Sequence, residues 1–151
     1  MYYREFGIPA RIARAYTSEE LEEHVSKYNG IKNCYTSVYC FDNMKDIESK
    51  ANYESAVINC IWFDFDHNTD VSKCLLDIRK FIRKYCNPRE IIPRLYLTGG
   101  KGFQMNIDFK TPLEISDSQK RQGLREYLTH LKKEYRLKTL DQACINNSVA
   151  C

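Results

Sequence analysis

The sequence predicts an α/β (α+β) domain with a strand-helix-strand-strand core and further helices flanking it. Three observations carry this. Residues 56–65, Ala-Val-Ile-Asn-Cys-Ile-Trp-Phe-Asp-Phe, form the near-continuous apolar run of a central strand in a covered sheet. Val71, Cys74, Leu75, Ile78, Phe81, Ile82 and Tyr85 recur at three- and four-residue steps, which marks one face of a helix from Asp70 to about Cys86, stopped by Asn87-Pro88. Arg94–Thr98 and Phe103–Asp108 then read as two strands joined tightly through Gly99, Gly100 and Gly102.

The remaining elements follow in order. Thr17-Ser-Glu-Glu20 has the spacing of a capping box and opens a helix to about Tyr28, closed by Asn29-Gly30. Tyr35–Phe41 is aromatic and β-branched and reads as one strand. Ser116 or Asp117 caps a long helix ending near Tyr135, with Leu124, Tyr127, Leu128 and Leu131 on its apolar side. Lys138-Thr-Leu-Asp141 begins a further strand or turn. The strand-helix-strand-strand core resembles an RNA-recognition-type sheet.

Composition sets the bounds. The 151 residues suit one domain, and 43% hydrophobic with 28% charged residues is a globular balance. No window approaches the ~18 apolar residues of a membrane span. The first residues, Met-Tyr-Tyr-Arg-Glu-Phe, lack the apolar stretch of a signal peptide, so the expectation is a cytoplasmic, non-secreted protein without a membrane partner. Seven cysteines without a Cys-x-x-Cys pair favour neither a secreted disulfide scaffold nor a zinc knuckle, and Cys60 and Cys74 fit apolar patterns as small core residues. A net charge of +3 is too small to argue for nucleic acid. The basic residues do cluster, Arg79, Lys80, Arg83 and Lys84 in one helix and Lys120, Arg121, Arg125, Lys132 and Lys133 in another, where solvated helix faces are the simpler account.

The chemistry concentrates at Trp62-Phe-Asp64-Phe-Asp66. Alternation along a strand places Asp64 and Asp66 on one face with Trp62, and Phe63 and Phe65 on the other. Two carboxylates about 7 Å apart repel when desolvated, and a divalent cation relieves that conflict. Mg²⁺ and Mn²⁺ favour such oxygen ligands and keep positions for water or substrate phosphate. An Asp-x-Asp that merely caps a strand end is the plainer alternative. The segment Thr98-Gly-Gly-Lys-Gly-Phe-Gln104 offers backbone amides and the Lys101 ammonium to a phosphate, without the spacing of a P-loop; a hairpin needing positive φ is its plainer account. Asp141 falls outside any amphipathic pattern. His67 follows the acid pair within reach of a metal there, with an exposed loop histidine as its plainer account, while His24 and His130 read as helix surface or boundary residues. Most of the eleven tyrosines read as half-buried packing residues.

Taken in order, these pieces resemble the archaeo-eukaryotic primase superfamily. Its first motif, an apolar strand ending in Asp-x-Asp, is matched by Trp62-Phe-Asp64-Phe-Asp66. Its second, a Ser-Gly-x-x-Gly-Phe-His hairpin, is matched by Thr98-Gly-Gly-Lys-Gly-Phe-Gln104. Its third, an apolar residue before Asp, is matched by Leu140-Asp141, and Arg4-Glu5-Phe6 is weakly similar to primase N-terminal segments. The resemblance covers about residues 35–145 and implies a single primase-like catalytic domain over residues 1–151, shorter past the third motif than that family, as a C-terminally truncated fragment, a minimal viral form or a degenerate relative would be. It implies that Asp64, Asp66 and Asp141 bind catalytic Mg²⁺ or Mn²⁺. It further implies that Thr98, Gly99, Gly100, Lys101, Gly102 and Gln104 bind the incoming nucleotide. The partners implied are a single-stranded DNA template, nucleoside triphosphates, and a large primase subunit or helicase. Gln104 stands where the family has histidine; it can donate a hydrogen bond but carries no charge.

The function expected is therefore primer synthesis by nucleotidyl transfer. The alternative is a catalytically weak or inactive primase-like module that binds nucleic acid or a partner subunit. A phosphohydrolase similar to the haloacid dehalogenases, with Asp64 as nucleophile, is a third reading, which residues 1–55 fit poorly.

Overall fold

The structure, a computed structural model, describes residues 2–8, 14–32, 34–48, 54–98 and 101–141. Gly99, Gly100, Cys144 and Cys151 lie outside the described residues. The chain is mixed α/β and divides into two compact units. The first holds the described residues up to Asn59 with Thr111–Arg121; the second holds Cys60–Lys110 and the described residues from Gln122.

In the first unit β1 (Tyr3–Gly7) pairs antiparallel with β2 (Ala15–Thr17), with β3 (Tyr35–Thr36) and with β4 (Cys40–Phe41). The start of β5 (Ala56–Asp66) pairs antiparallel with β4 through Cys40↔Val57 and Phe41↔Ala56. β1 escapes a reading by periodicity because its charged and aromatic residues are organised by pairing with the later strands β3 and β4, and β2 because three residues are too few to show a period. The strand expected over Tyr35–Phe41 is interrupted. The buried Ser37 hydroxyl accepts the Glu5 N–H at 3.1 Å and donates to the Tyr39 carbonyl at 2.7 Å, so a side chain does there what a ladder would do.

α1 (Ser18–Tyr28) begins as expected. Thr17 is its N-cap, its hydroxyl accepting from Glu20 N–H and the Glu20 carboxylate accepting from Thr17 N–H, and Asn29 ends it. The Thr17 bonds hold the Glu20 carboxyl below its ordinary range. Gly30 follows with φ 78°, a conformation that suits glycine. His24 packs its ring on Phe6 and Tyr16. A short helix not anticipated, α2 (Met44–Glu48), precedes β5.

In the second unit β5 leads to α3 (Ser72–Phe81), which continues as a π-helical turn over Ile82–Cys86 and a 3-10 turn over Asn87–Arg89. Pro88 thus ends the helix by tightening it. β6 (Arg94–Leu97) pairs antiparallel with β7 (Gly102–Glu114), and β7 lies between β6 and β5. β7 runs six residues past the expected Asp108, to Glu114. α4 (Ser118–Glu134) opens with Gln119 N–H donating to the Asp117 carboxylate, which makes Asp117 rather than Ser116 the cap. After α4, Leu140 makes an antiparallel bridge to Phe65.

The core of this unit joins Phe63 and Phe65 of β5, Ile78 and Phe81 of α3, Met105 of β7 and Leu128 of α4. Phe81 stacks on Tyr85 and meets Phe63 and Tyr135. Cys60 and Cys74 are buried free thiols, as their patterns suggested. Tyr127, expected on the apolar side of α4, is 42% exposed, and its hydroxyl shares a short hydrogen bond with that of Tyr85. Among the described residues no helix is long and apolar enough to cross a membrane.

Candidate functional site

The site lies at the C-terminal end of β5, within the second unit. Phe63 and Phe65 are buried in the core while Asp64 is half-buried and Asp66 exposed, so the acids occupy the face the alternation gives them. Asp141 joins them through the backbone. Its N–H donates to the Asp64 carbonyl at 2.7 Å, and Asp66 N–H donates to the Thr139 carbonyl at 2.9 Å. These two bonds bracket the Phe65↔Leu140 bridge and set Asp141 directly opposite Asp64, on the face away from buried Leu140. The electrostatics agree: burial first, then the charges of Asp66 and Asp141, push the Asp64 carboxyl up to about 6.

Lys101 and Gly102 abut the same strand end. Lys101 carbonyl accepts the His67 N–H at 3.1 Å. A Cβ on Gly102 would lie 1.7 Å from the Phe65 carbonyl oxygen and 2.7 Å from a carboxylate oxygen of Asp66. Glycine is therefore required there by close approach to the acid strand and not by a positive φ, which Gly102 does not have. Thr98 closes the foot of the turn, its N–H and its hydroxyl both reaching the Gly102 carbonyl, at 3.2 and 3.0 Å.

Register extends this face outward. Met105 and Ile107 of β7 enter the core, so Gln104 and Asn106 occupy the other face, where the Gln104 amide donates to Asn106 at 3.1 Å. Tyr96 opposes Gln104 across the β6–β7 pair and Arg94 opposes Asn106. Arg94 donates to the Tyr96 hydroxyl and pairs with Asp108. The exposed Tyr96 ring beside Gln104 is a feature that composition could not pick out of so many tyrosines; the hairpin register singles it out.

His67 is committed locally. Its Nδ1 accepts from the Asp70 N–H at 3.0 Å and from the Thr69 N–H at 3.4 Å, and so shapes the turn into α3. Much of the basic clustering is also structural. Lys80 pairs with Asp77, Lys120 with Glu114, Arg121 donates to the Ile115 and Ser116 carbonyls, and Lys132 donates to Leu140. Arg79, Arg83, Lys84 and Lys133 are exposed.

Carboxylates are hard oxygen donors, the kind that Mg²⁺ or Mn²⁺ takes in preference to a softer ion. Among the described residues no three Asp, Glu, His or Cys side chains are gathered into a ready cation cluster, so what converges is the backbone register that carries the carboxylates. The fold and site define a mixed α/β protein whose backbone brings three aspartates to one strand end beside Gly102. No family model, no curated protein and no solved structure matches the chain.

Proposed function

We propose that the protein is a primase-type nucleotidyltransferase that synthesises primers on single-stranded DNA. The observation that carries this reading is the convergence of Asp141 on Asp64 and Asp66. The element order strand-helix-strand-strand-helix, followed by the isolated Leu140 bridge, with neighbours Leu140, β5, β7 and β6, supports it further as an arrangement similar to an RNA-recognition-type sheet.

Asp64, Asp66 and Asp141 would hold Mg²⁺ or Mn²⁺. Such an ion supplies charge neutralisation to phosphoryl transfer and is consistent with the crowding of carboxylates that raises Asp64. Lys101, exposed beside the acids, contributes positive charge to a bound triphosphate, and Gln104 contributes a neutral hydrogen-bond donor. Tyr96 offers a face on which a base can stack. The exposed basic side chains of α3 and the following turn suit a template backbone, with affinity that falls as salt rises.

The test is a priming assay on single-stranded DNA with Mg²⁺ or Mn²⁺. Primer synthesis by the wild type should be lost when Asp64 and Asp66 are both changed to alanine, and synthesis surviving that change defeats the reading. Gln104 favours a second reading, a primase-like module that binds nucleic acid or a partner with weak or no catalysis. That reading expects single-stranded DNA binding without primer synthesis, and robust metal-dependent synthesis excludes it.

A further inference from the structure

Among the described residues the segment that carries Asp141 contains no helix and makes a single bridge to β5, yet three side chains of α3 and α4 grip it. Asp77 of α3 is only 6% exposed. Its Oδ2 accepts the Thr139 N–H at 2.9 Å and the Thr139 hydroxyl at 3.1 Å, while its Oδ1 accepts from Lys80 Nζ at 2.8 Å. Lys80 Nζ also donates to the Arg136 carbonyl at 3.1 Å, and Lys132 Nζ donates to the Leu140 carbonyl at 2.6 Å.

A buried carboxylate is unfavourable unless its lone pairs are used. Here burial raises the Asp77 carboxyl, but the Lys80 and Thr139 donors outweigh it and leave the group below its ordinary range. The carboxylate is thus held charged against the backbone of the third-acid segment. We propose that Asp77 is a positioning residue: by fixing Thr139 it sets the register in which Asp141 stands opposite Asp64.

The register matters because a slip of one residue exchanges the faces of neighbouring side chains. Asp141 would turn toward the core and Leu140 toward the acids. From the β5 side two backbone bonds, Asp66 N–H to Thr139 and Asp141 N–H to Asp64, oppose such a slip. Asp77 takes the Thr139 N–H and hydroxyl from the α3 side and pins the segment from the other direction. The inference rests on the reading of the three aspartates as a cation-binding set.

Two measurements on the full chain test it, namely amide hydrogen exchange in the metal-free protein and Mn²⁺ titration without nucleotide. In Thr139→Val and Asp77→Asn, exchange at the Asp66 and Asp141 amides should rise about tenfold beyond any change at β7 amides, and the Kd for Mn²⁺ should rise about tenfold, the lower end of outer-partner effects on metal affinity. Thr139→Ser, which keeps the hydroxyl, should return both toward wild type. Unchanged exchange at Asp66 and Asp141 in a folded Thr139→Val protein overturns the positioning role, as does unchanged Mn²⁺ affinity in a variant whose parent binds Mn²⁺. A wild type that binds no Mn²⁺ defeats the cation reading, and the exchange measurement then decides the positioning of Asp141 by itself. Where Asp77→Asn fails to fold, the Thr139 pair carries both measurements.

Discussion

Asp141 donates its backbone N–H to the carbonyl of Asp64 at 2.7 Å, which joins two aspartates that are far apart in the sequence. Their proximity has a thermodynamic consequence. Burial, Asp66 and Asp141 together push the Asp64 carboxyl up to about 6, above the ordinary 3.8. A raised carboxyl favours the folded state when protonated. Its stabilising contribution is full below pH about 4, is lost as pH rises toward about 6, and stays lost above that. The loss is on the order of 1–3 kcal/mol, with solvent at the half-buried group reducing it toward the lower figure. Urea unfolding in chelator at pH 4.5 and 7.5 should show it, and Asp64→Asn should flatten that part of the profile and stabilise the metal-free protein at the higher pH.

Phe81 is completely buried and meets Phe63, Tyr85 and Tyr135. Phe81→Ala removes the ring that ties α3 to β5 and leaves a cavity among these rings. The expected loss is about 3–5 kcal/mol of unfolding free energy, read from the urea midpoint at unchanged slope.

The second unit was legible in the sequence where burial repeats locally. The apolar run of β5, the helical period through α3 and the glycine connection between β6 and β7 each report a face or a turn within a few residues. The first unit was less so. β1 depends on β3 and β4 further along the chain, β2 is too short to show a period, and the Tyr35–Phe41 run breaks at Ser37 because one hydroxyl satisfies Glu5 and Tyr39. At the site, Asp64 and Asp66 are visible as alternation, whereas Asp141 carries no periodic signal and is placed by pairing. The Asp77–Thr139 contact was hidden for another reason: on the helical wheel Asp77 reads as an interruption of an apolar face, and its distant partner Thr139, together with Lys80, explains its burial.

Gln104 shares a face with Asn106 and donates to it at 3.1 Å. Gln104→His replaces a neutral donor by one that can carry charge toward a triphosphate. A hydrogen bond to a charged group exceeds a neutral one by about 1 kcal/mol, which corresponds to roughly a fivefold fall in nucleotide KM. Steady-state priming kinetics across nucleotide concentrations measure this. A KM unchanged or raised in the histidine variant would mean that position 104 does not contact the triphosphate.

Gly102 couples the fold to the site most directly. A Cβ at this position would sit 1.7 Å from the Phe65 carbonyl oxygen and 2.8 Å from its carbon, both backbone atoms that no side-chain rotation can move. The same Cβ would approach the Asp66 carboxylate to 2.7 Å. Gly102→Ala therefore forces β7 and the Lys101 carbonyl away from the end of β5, breaking the His67 N–H bond to Lys101. Overpacking of this kind is destabilising by about 1–3 kcal/mol and exceeds that when backbone must shift. Gly123 is the matched control, because a Cβ there meets nothing within 4 Å. In an exposed stretch of α4, Gly123→Ala should stabilise the protein by about 0.5–1 kcal/mol through helix propensity. Chemical denaturation of both variants gives the contrast: a lowered midpoint for Gly102→Ala, with loss of Mn²⁺ binding in the protein that remains folded, and a raised midpoint for Gly123→Ala with Mn²⁺ binding retained. Equal stability of Gly102→Ala and wild type would mean that the hairpin does not press on the acid strand.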